Sequence, residues 1–385
     1  MRIGIDAHGL GGHSMGLGNE TYFGNLIAGL LEIDRQNEYH IFVNHPEAAR
    51  ELVRGRPNAR VVSLFPHTQW LQRPFSMPAY ANRHKLDLVH CPFIRPPFTN
   101  AKTVITVHDA NYEFFPQDFT FVERWRMKLL VPPSCRRADL IFTVSEFTRQ
   151  ELHHVYQIPL EKIVVTHNAA DHLPAWQTDA GGQPPRKFDL PEHYVFFAGM
   201  IQPKKNLPRL VRAFDLIKSR ADLPHHLVIA GKWGWGNDEL KRVLESLEHR
   251  DYVHFLGYLY PKEVASVMSG ADMFAFPSLY ESFGIPPMEA QRQGVAALVS
   301  NTTCFPEIYG DSVMYCDPYD VQSIADAMQS LLADVGLRSE LVKRSESWAR
   351  RFSWRKTAQV ALNAYEQLLQ ENAGQRALAA AQGAR

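Results

Sequence analysis

Cysteine is scarce in this chain, which has four in 385 residues. They are Cys91, Cys135, Cys304 and Cys316, and no two of them form a Cys-x-x-Cys pair. This spacing argues against a cysteine zinc cluster and against a disulfide framework, so we expect reduced and mostly buried thiols. Net charge is also absent, because 41 Lys and Arg residues balance 41 Asp and Glu residues. A chain without a global basic field is not expected to bind nucleic acid.

Long apolar runs are missing as well. No uninterrupted run approaches the roughly 20 residues that a membrane span needs. The first nine residues, MRIGIDAHG, show no basic segment followed by an apolar one, as a signal peptide would. We therefore expect a protein of the cytoplasm, working there or at the inner face of the membrane.

Two common ligand-binding motifs are absent. The loop after the first predicted strand, residues 9–20, is rich in glycine but lacks the G-x-G-x-x-G spacing of dinucleotide-binding proteins. Hydride transfer is therefore not the expected chemistry, and we expect no cofactor. No two aspartates lie two residues apart, so the Asp-x-Asp pair that holds a divalent ion in many transferases is missing. We predict no metal ligands.

What the chain does contain is a regular alternation of short apolar runs with helical patterns, which is typical of doubly wound α/β domains. The strands predicted in the first half are 3–5, 39–43, 61–64, 88–90, 104–107, 140–144 and 163–165, and those in the second half are 194–198, 227–230, 253–256, 273–276 and 296–299. We predict two Rossmann-like domains, 1–175 and 191–355, with a linker at 176–190, a final helix at 356–372 and a flexible tail at 373–385.

The most informative segment is 276–289, FPSLYESFGIPPME. Glu281 falls in a loop after an apolar strand, Gly284 allows the backbone to approach a ligand closely, and Pro286 or Pro287 suits the first position of a helix. The free amides at a helix N-terminus favour a diphosphate. Glu289, inside that helix, can accept hydrogen bonds from a ribose diol. Two solvated glutamates around an ordinary loop are the alternative, and the glycine and the prolines argue against it.

Lys204 and Lys205 follow the first strand of the second half, directly before a predicted helix. Lysines are normally unfavourable at a helix N-terminus, so a solvated helix end explains them less well than an anion does. They can neutralise a diphosphate as a metal ion would. Two further strand-end loops contribute Gly231 and Tyr258, which we predict to border the nucleotide.

Glu281 and Glu289, with seven residues between them, resemble the E-x7-E signature of the GT4 family of retaining glycosyltransferases, which have the GT-B fold. The similarity covers nearly all of the C-terminal half, through residues 255–258, 269–272, Gly294, 300–301 and 306–307. It implies two Rossmann-like domains facing a central cleft, with the last helix crossing back to the first domain. It also implies that the C-terminal domain binds a nucleoside-diphosphate sugar and that the N-terminal domain binds the acceptor.

The resemblance assigns roles to single residues. Glu281 would hold hydroxyls of the donor sugar, Glu289 the ribose, and Lys205 with the neighbouring Lys204 the diphosphate. His108 follows the strand 104–107, which should place it at the strand end rather than in the core; it would position the sugar and, second, transfer a proton. The chain departs from the family at Met200, where some members carry an arginine. The other residues that we predict on the donor side are Gly16, Gly18, Ser282, Phe283, Gly284 and Ile285.

The function implied is metal-independent transfer of a hexose, with retention, to a hydroxyl of a saccharide or a polyprenyl-diphosphate-linked oligosaccharide. The whole chain looks most like bacterial mannosyltransferases of polysaccharide and lipopolysaccharide assembly, so GDP-mannose is the expected donor. Two alternatives are a GT-B-fold epimerase or phosphorylase and a non-catalytic scaffold that binds sugar nucleotides.

Residues 114–129 interleave aromatic with basic side chains. Phe121, Trp125 and Leu129 alternate with Arg124 and Lys128 in a helical pattern. An internal helix packed on the first sheet is the reading that we favour, and a face in peripheral contact with a membrane is the alternative.

Overall fold

The computed structural model describes residues 1–11, 18–68, 71–172 and 188–383. The chain forms two compact units and passes between them four times. Unit 1 comprises Met1–Ala110, Trp125–Asn168 and Ser353–Arg385, and unit 2 comprises Asn111–Arg124 and Ala169–Phe352. Residues 111–124 thus belong to unit 2, although they lie within the predicted N-terminal domain. Most of the predicted linker, residues 176–187, lies outside the described residues.

Unit 1 is built on a parallel seven-stranded sheet in the order β3-β2-β1-β4-β5-β6-β7. Its central strands are apolar and buried on both faces because helices cover both sides of a sheet with parallel connections. All seven strands predicted in the first half are present. They are β1 (Arg2–Asp6), β2 (Glu38–Val43), β3 (Ala59–Ser63), β4 (Leu88–Pro92), β5 (Lys102–Thr106), β6 (Leu140–Thr143) and β7 (Ile163–Val165).

The final helix of the chain belongs to unit 1, as predicted. It packs so closely on the first helix that a Cβ added at Gly29 would lie 2.8 Å from the Cβ of Ala358. The side chain of Ser353 accepts a hydrogen bond from the Lys356 amide at the start of the helix. The backbone stays helical to Gly383, beyond the predicted boundary at residue 372. The helices that begin in unit 1 are α1 (Gly18–Ile33), α2 (Pro46–Leu52), α3 (Met77–Arg83, after a π-helical turn at Gln72–Ser76), α6 (Glu146–Tyr156) and α14 (Trp354–Gly383).

Unit 2 carries a parallel six-stranded sheet in the order β10-β9-β8-β11-β12-β13. The five strands predicted in the second half are confirmed. The sixth, at one edge, was not predicted, because it has only three residues and two of them are half-buried. The strands are β8 (Tyr194–Ala198), β9 (His226–Ala230), β10 (Val253–Gly257), β11 (Met273–Phe276), β12 (Ala297–Ser300) and β13 (Met314–Cys316).

Helices pack on both faces of this second sheet, so both units have the predicted doubly wound α/β architecture. The helices between and after the strands are α7 (Leu207–Arg220), α8 (Asp238–Ser246), α9 (Pro261–Ser269), α10 (Ile285–Arg292), α11 (Phe305–Tyr309), α12 (Val321–Ala333) and α13 (Val335–Ala349).

Residues 111–137 form a short helix, α4 (Asn111–Phe114), a 3₁₀ turn and the longer α5 (Phe121–Arg137). The preference for an internal α5 was wrong for its aromatic face. Phe121 is 75% exposed, Trp125 60% and Leu129 69%. These positions are four residues apart, so they form one apolar stripe along the helix.

Within the part of the chain that the structure describes, no helix has both the length and the apolar character that a membrane crossing needs.

Candidate functional site

Four loops of unit 2 leave the carboxyl ends of neighbouring parallel strands. They follow β8, β9, β10 and β11, which are adjacent in the sheet. Ligands of open α/β sheets bind at this edge, outside the strand ends. The predicted donor residues of the second half lie in these loops or in the helix that follows β11.

Lys205 and Glu281 form an ion pair that joins the loops after β8 and β11. Each side chain is nearly buried, with 13% of Lys205 and 11% of Glu281 exposed. The Lys205 ammonium also lies 4.7 Å from the centre of the Phe276 ring. The sequence predicted a cation and an acid in loops at this edge of the sheet but did not predict that they pair.

The loop that carries both lysines is fixed by its neighbours. Asn206 adopts the left-handed conformation with φ 62°, which asparagine tolerates better than most residues. Its side-chain amide donates to the carbonyls of Pro277, at 2.9 Å, and Pro318, at 2.6 Å. The Leu279 amide donates to the Lys204 carbonyl at 2.7 Å. Because the two loops are bonded to each other, Lys204 and Lys205 stay close to the loop of Glu281.

The electrostatics of Lys205 reflect its position. Burial lowers the pKa of Lys205, and the Glu281 carboxylate offsets part of that effect. Lys204 lowers the pKa further, and Asp118 raises it. A buried ammonium that already has a carboxylate partner can exchange it for a phosphate oxygen with little loss of solvation. The pair is therefore suited to receive a diphosphate.

Gly284 turns the chain from the Glu281 loop into α10. Its φ is 77°, and a Cβ there would lie 2.5 Å from the Phe305 ring, so both conformation and space require glycine. The Tyr309 hydroxyl donates to the Gly284 carbonyl. The helix then begins at Ile285, with Pro286 in its second position, one residue away from the predicted first position. Pro286 and Pro287 have no N–H, so Ile285 carries the only backbone amide among the first three residues of the helix. The positive end of the helix dipole still points to this edge of the sheet.

The other residues predicted in this loop differ in exposure. Phe283 is 1% exposed and packs edge-on against Phe352 with ring centres 5.7 Å apart. Its ring is thus part of the core, which leaves its backbone for any ligand. Ser282 and Ile285 are half-buried and remain accessible.

Glu289 lies in the second turn of α10 and is half-buried. Burial raises the pKa of Glu289 to about 7. His172 Nε2 lies 3.7 Å from Glu289 Oε1. Burial lowers the pKa of His172, so this imidazole is neutral near pH 7. A carboxyl group with a raised pKa beside a neutral imidazole can both donate hydrogen bonds to a diol and accept them from it.

Gly231, at the end of β9, allows the loops after β8 and β9 to approach each other closely. A Cβ at this position would overlap with the carbonyl oxygen of Gly199. The Gly231 amide donates to the Gly257 carbonyl at 2.7 Å, and the Gly199 amide donates to Ala230 at 3.0 Å. Three strand ends are therefore tied together at the predicted nucleotide side.

Aromatic side chains stand next to this glycine. Trp233 stacks on Phe255 with ring centres 5.3 Å apart but remains 45% exposed. Lys232 Nζ lies 4.6 Å from the centre of the Tyr258 ring, which is 39% exposed. Trp233 therefore packs on the end of the sheet, and its exposed face also offers a surface for a planar base.

In unit 1, His108 lies just beyond the end of β5, but its ring is buried rather than outside the core as expected. It is 7% exposed and contacts Tyr22 edge-on at 4.9 Å between ring centres. Burial lowers the pKa of His108 to about 3. The imidazole is therefore neutral at pH 7 and unsuited to donate a proton as an acid, which weakens its second predicted role.

The two glycines predicted on the donor side of the first half have different outcomes. Gly18 is the first residue of α1 and is exposed, with open space where a Cβ would be. Gly16 lies outside the described residues.

Sequence reasoning missed a polar cluster at the end of β1. The Asp6 carboxylate contacts His8 Nδ1 and accepts from Arg73 Nε at 2.8 Å. Burial alone would raise the pKa of Asp6, but Arg73 and His8 hold it well below its usual range. Among the described residues, His8 Nε2 has no hydrogen-bond partner. The signal was present, since Asp6 and His8 follow a predicted strand, but Arg73 reaches them only through the fold.

In unit 2 the missed residues are His172, Asn206 and Tyr309, together with Thr303. Thr303 has a φ of 58°, which is rare for a β-branched residue, and its hydroxyl is buried with no partner in the described part of the chain. Such strain collects at ligand sites. No local sequence pattern predicts the contacts of His172, Asn206 and Tyr309, because each joins segments far apart in the chain.

Two family models match the chain. Residues 18–172 match the model described as Glycosyltransferase Family 4, and residues 183–348 match Glycosyl transferases group 1. O-antigen chain mannosyltransferase B of Escherichia coli is 31% identical over 299 residues, which cover 75% of this chain and 77% of that protein. Serotype-specific mannosyltransferase WbdA of Escherichia coli is 30% identical over 282 residues, or 70% of this chain, which spans only 34% of that longer protein.

The fold is also found among solved structures. Anabaena Alr3699/HepE, crystallised in complex with UDP and glucose, superposes with a TM-score of 0.71 at 16% identity, covering 95% of this chain and all of that one. The predicted GT-B fold is confirmed.

Proposed function

The chain belongs to the family 4 glycosyltransferases, and we propose that it transfers mannose from GDP-mannose, with retention, to a hydroxyl of a saccharide or of a polyprenyl-diphosphate-linked oligosaccharide. That it is a glycosyltransferase follows from the family. The donor, the stereochemistry and the acceptor are the parts that we propose. Mannose is supported by relatives named as O-antigen and serotype-specific mannosyltransferases.

The observation that carries the donor site is the Lys205–Glu281 pair beside the start of α10. A departing diphosphate develops negative charge, which a nearby ammonium and the positive end of a helix dipole stabilise without reorganisation. Lys205 supplies the first and α10 the second, with Lys204 in the adjacent position. This arrangement supplies the charge that a divalent ion supplies in other transferases, so we propose metal-independent transfer.

In the proposed reaction, the acceptor hydroxyl attacks the anomeric carbon on the face from which the diphosphate departs. The bond from that carbon to the phosphate oxygen breaks, and the hydroxyl proton passes to the leaving diphosphate. Glu281 would hold hydroxyls of the donor sugar and Glu289 the ribose. His108 stays a predicted contact to the sugar; its neutral imidazole offers one donor and one acceptor.

The first test is calorimetric titration of the metal-free protein with GDP, UDP, ADP and dTDP, followed by the matching nucleotide sugars. We expect selective binding of GDP without Mg²⁺ and turnover of GDP-mannose with a saccharide acceptor. Selective binding of another diphosphate would overturn the donor. Binding without turnover on any acceptor would favour the scaffold alternative.

Two variants locate the site. Lys205→Ala should weaken the binding of GDP more than that of guanosine, because the lost cation faces the diphosphate. Glu289→Ala should weaken the binding of both ligands, because both contain the ribose. Lys241→Ala, an exposed lysine on α8, is the matched control and should change neither. Unchanged affinities in the first two variants would contradict the site assignment.

We also propose that the exposed stripe of α5 contacts a membrane surface. Phe121, Trp125 and Leu129 lie on it, and Arg124 and Lys128 lie on the same helix. Apolar side chains flanked by basic ones suit the interface of an anionic bilayer. The localisation that follows is the cytoplasmic face of the membrane.

The test is sedimentation with vesicles. Vesicles containing anionic lipid should carry down the native protein, and Trp125→Ser combined with Leu129→Ser should reduce the bound fraction several-fold. Val335→Ser, an equally exposed apolar residue on α13, is the control. Equal binding of the double variant and the native protein would rule out this helix as the contact.

A further inference from the structure

Three ligand-type side chains meet at the edge of the second sheet that is opposite the donor loops. His193, His225 and Asp272 each directly precede a strand, namely β8, β9 and β11. These strands are neighbours and parallel, so their amino ends lie side by side. No local sequence motif predicts this cluster, because His193 and Asp272 are 79 residues apart.

The three side chains converge on one point. Asp272 Oδ2 lies 3.2 Å from His193 Nδ1 and 3.5 Å from His225 Nε2. One nitrogen or oxygen from each of the three residues falls within 4.8 Å of the others. Ligand atoms of a tetrahedral zinc ion with bonds of about 2.0–2.1 Å are separated by about 3.3 Å. Two of the three separations thus match the edge of a zinc tetrahedron before any ion is bound.

The surroundings are also those of a ligand set. Asp272 is held in place by the Tyr194 amide, which donates to Oδ2 at 3.2 Å. His225 is 7% exposed, and its Nδ1 has no hydrogen-bond partner among the residues that the structure describes. Among the residues that the structure describes, His193 and His225 are the only ion-pair partners of Asp272.

We propose that His193, His225 and Asp272 bind a divalent transition-metal ion, with Zn²⁺ as the ion that fits best. Two imidazole nitrogens and one carboxylate oxygen are a ligand set that zinc accepts, with a water molecule in the fourth position. Mg²⁺ prefers six oxygen ligands and does not fit. The bound ion would join the starts of three adjacent strands and stabilise unit 2 without taking part in sugar transfer.

The test is titration of the untagged, chelator-treated protein with Zn²⁺, followed by thermal unfolding. We expect one equivalent to bind and, at a hundredfold excess over the dissociation constant, to raise the unfolding temperature of unit 2 by about 5–10 °C. Mg²⁺ should do neither. Absence of Zn²⁺ binding would overturn the proposal and leave the trio as a set of ion pairs.

Variants identify the ligands. His193→Gln changes a half-exposed side chain, and Asp272→Asn keeps the carbonyl oxygen that the Tyr194 amide needs, so both should fold. Each should weaken Zn²⁺ by more than about 100-fold, since even loss of a partner outside the ligand shell costs about 10–100-fold. His249→Gln is the control, because His249 lies beside one carboxylate, that of Asp215 at 3.1 Å, in a pair rather than a trio. Zn²⁺ affinity that survives in both ligand variants, or that falls only in the control, would also overturn the proposal.

Discussion

At the scale of the residue, Glu289 has a carboxyl group whose charge opposes folding. Burial raises the pKa of Glu289 from 4.5 to about 7. Below pH 4.5 the group is protonated in the folded and unfolded chain alike, and the shift has no effect. As the pH rises to 7, the unfolded chain releases this proton first, so unfolding becomes more favourable. Above pH 7 the carboxyl group is deprotonated in both states, and the destabilisation of the folded chain reaches its full value.

Glu289→Gln should therefore stabilise unit 2 at pH 8 and leave its stability at pH 4 unchanged. The shift corresponds to about 3–4 kcal/mol. The measurement is denaturant unfolding across this pH range, with Glu245→Gln, an exposed acid on α8, as the control. A variant that keeps the pH slope of the native protein would contradict the buried state of Glu289.

Glu281 presents the opposite case, an acid that competes with the ligand for its partner. In the absence of donor, Glu281 forms an ion pair with Lys205. Its negative charge also repels a diphosphate. Glu281→Gln should therefore bind GDP about 3- to 10-fold more tightly, yet lose turnover because the sugar hydroxyls lose their acceptor. Calorimetry and a transfer assay measure the two effects. Weaker GDP binding in this variant would mean that Glu281 does not compete for Lys205.

At the scale of the element, the loops after β8, β9 and β10 depend on one another through Gly231. Ala at this position would push its Cβ into the Gly199 carbonyl and displace the loop that carries Lys204 and Lys205. Gly231→Ala should lower GDP affinity at least about tenfold, because a displacement of about 1 Å at a positioned group is already costly.

Gly257→Ala separates this effect from backbone strain. Gly257 also has a positive φ, 71°, but open space surrounds its Cβ position. The control should cost roughly 1–2 kcal/mol of stability and spare GDP binding. Equal losses of affinity in both variants would show that strain, not loop contact, is responsible.

Sequence patterns predicted best those elements whose stability depends on the pattern of their own residues. Twelve strands were predictable because each is a compact apolar run that must be buried on both faces. The edge strand β13 escaped because it has three residues, and the exposed face of α5 was misassigned because its apolar spacing also fits a core helix. The candidate site likewise has residues that the sequence predicted and contacts that it did not predict.

Lys205 and Glu281 lie in loops that follow strands, and Glu289 lies in the helix after the second of these loops. The sequence therefore indicates at which edge of the sheet they lie. The ion pair between two of them, the contact of His172 with Glu289 and the zinc-type trio depend on which strands are neighbours. That order, β10-β9-β8-β11-β12-β13, is not written in any local pattern.

At the scale of the whole molecule, unit 1 is completed by the end of the chain. Six residues of α14 are buried in it: Trp354, Thr357, Ala358, Ala361, Leu362 and Tyr365. The Tyr365 hydroxyl hydrogen-bonds His90 Nδ1 at 2.7 Å, and its ring stacks on Phe142 with centres 5.5 Å apart. Unit 2 ends at Phe352 and contains none of these contacts.

A chain that ends after Phe352 should therefore lose order in unit 1 while unit 2 keeps its fold. Removal of a buried Trp and a buried Tyr, at about 3–5 kcal/mol for each large aromatic, approaches the whole stability of a domain. Hydrogen exchange should show the amides of β1, β4 and β5 losing protection and those of β8 and β11 retaining it. A chain that ends after Gln370 is the control, since it keeps all six buried residues. Equal protection of β4 and β5 in the two truncated chains would mean that the sheet of unit 1 is stable without its last helix.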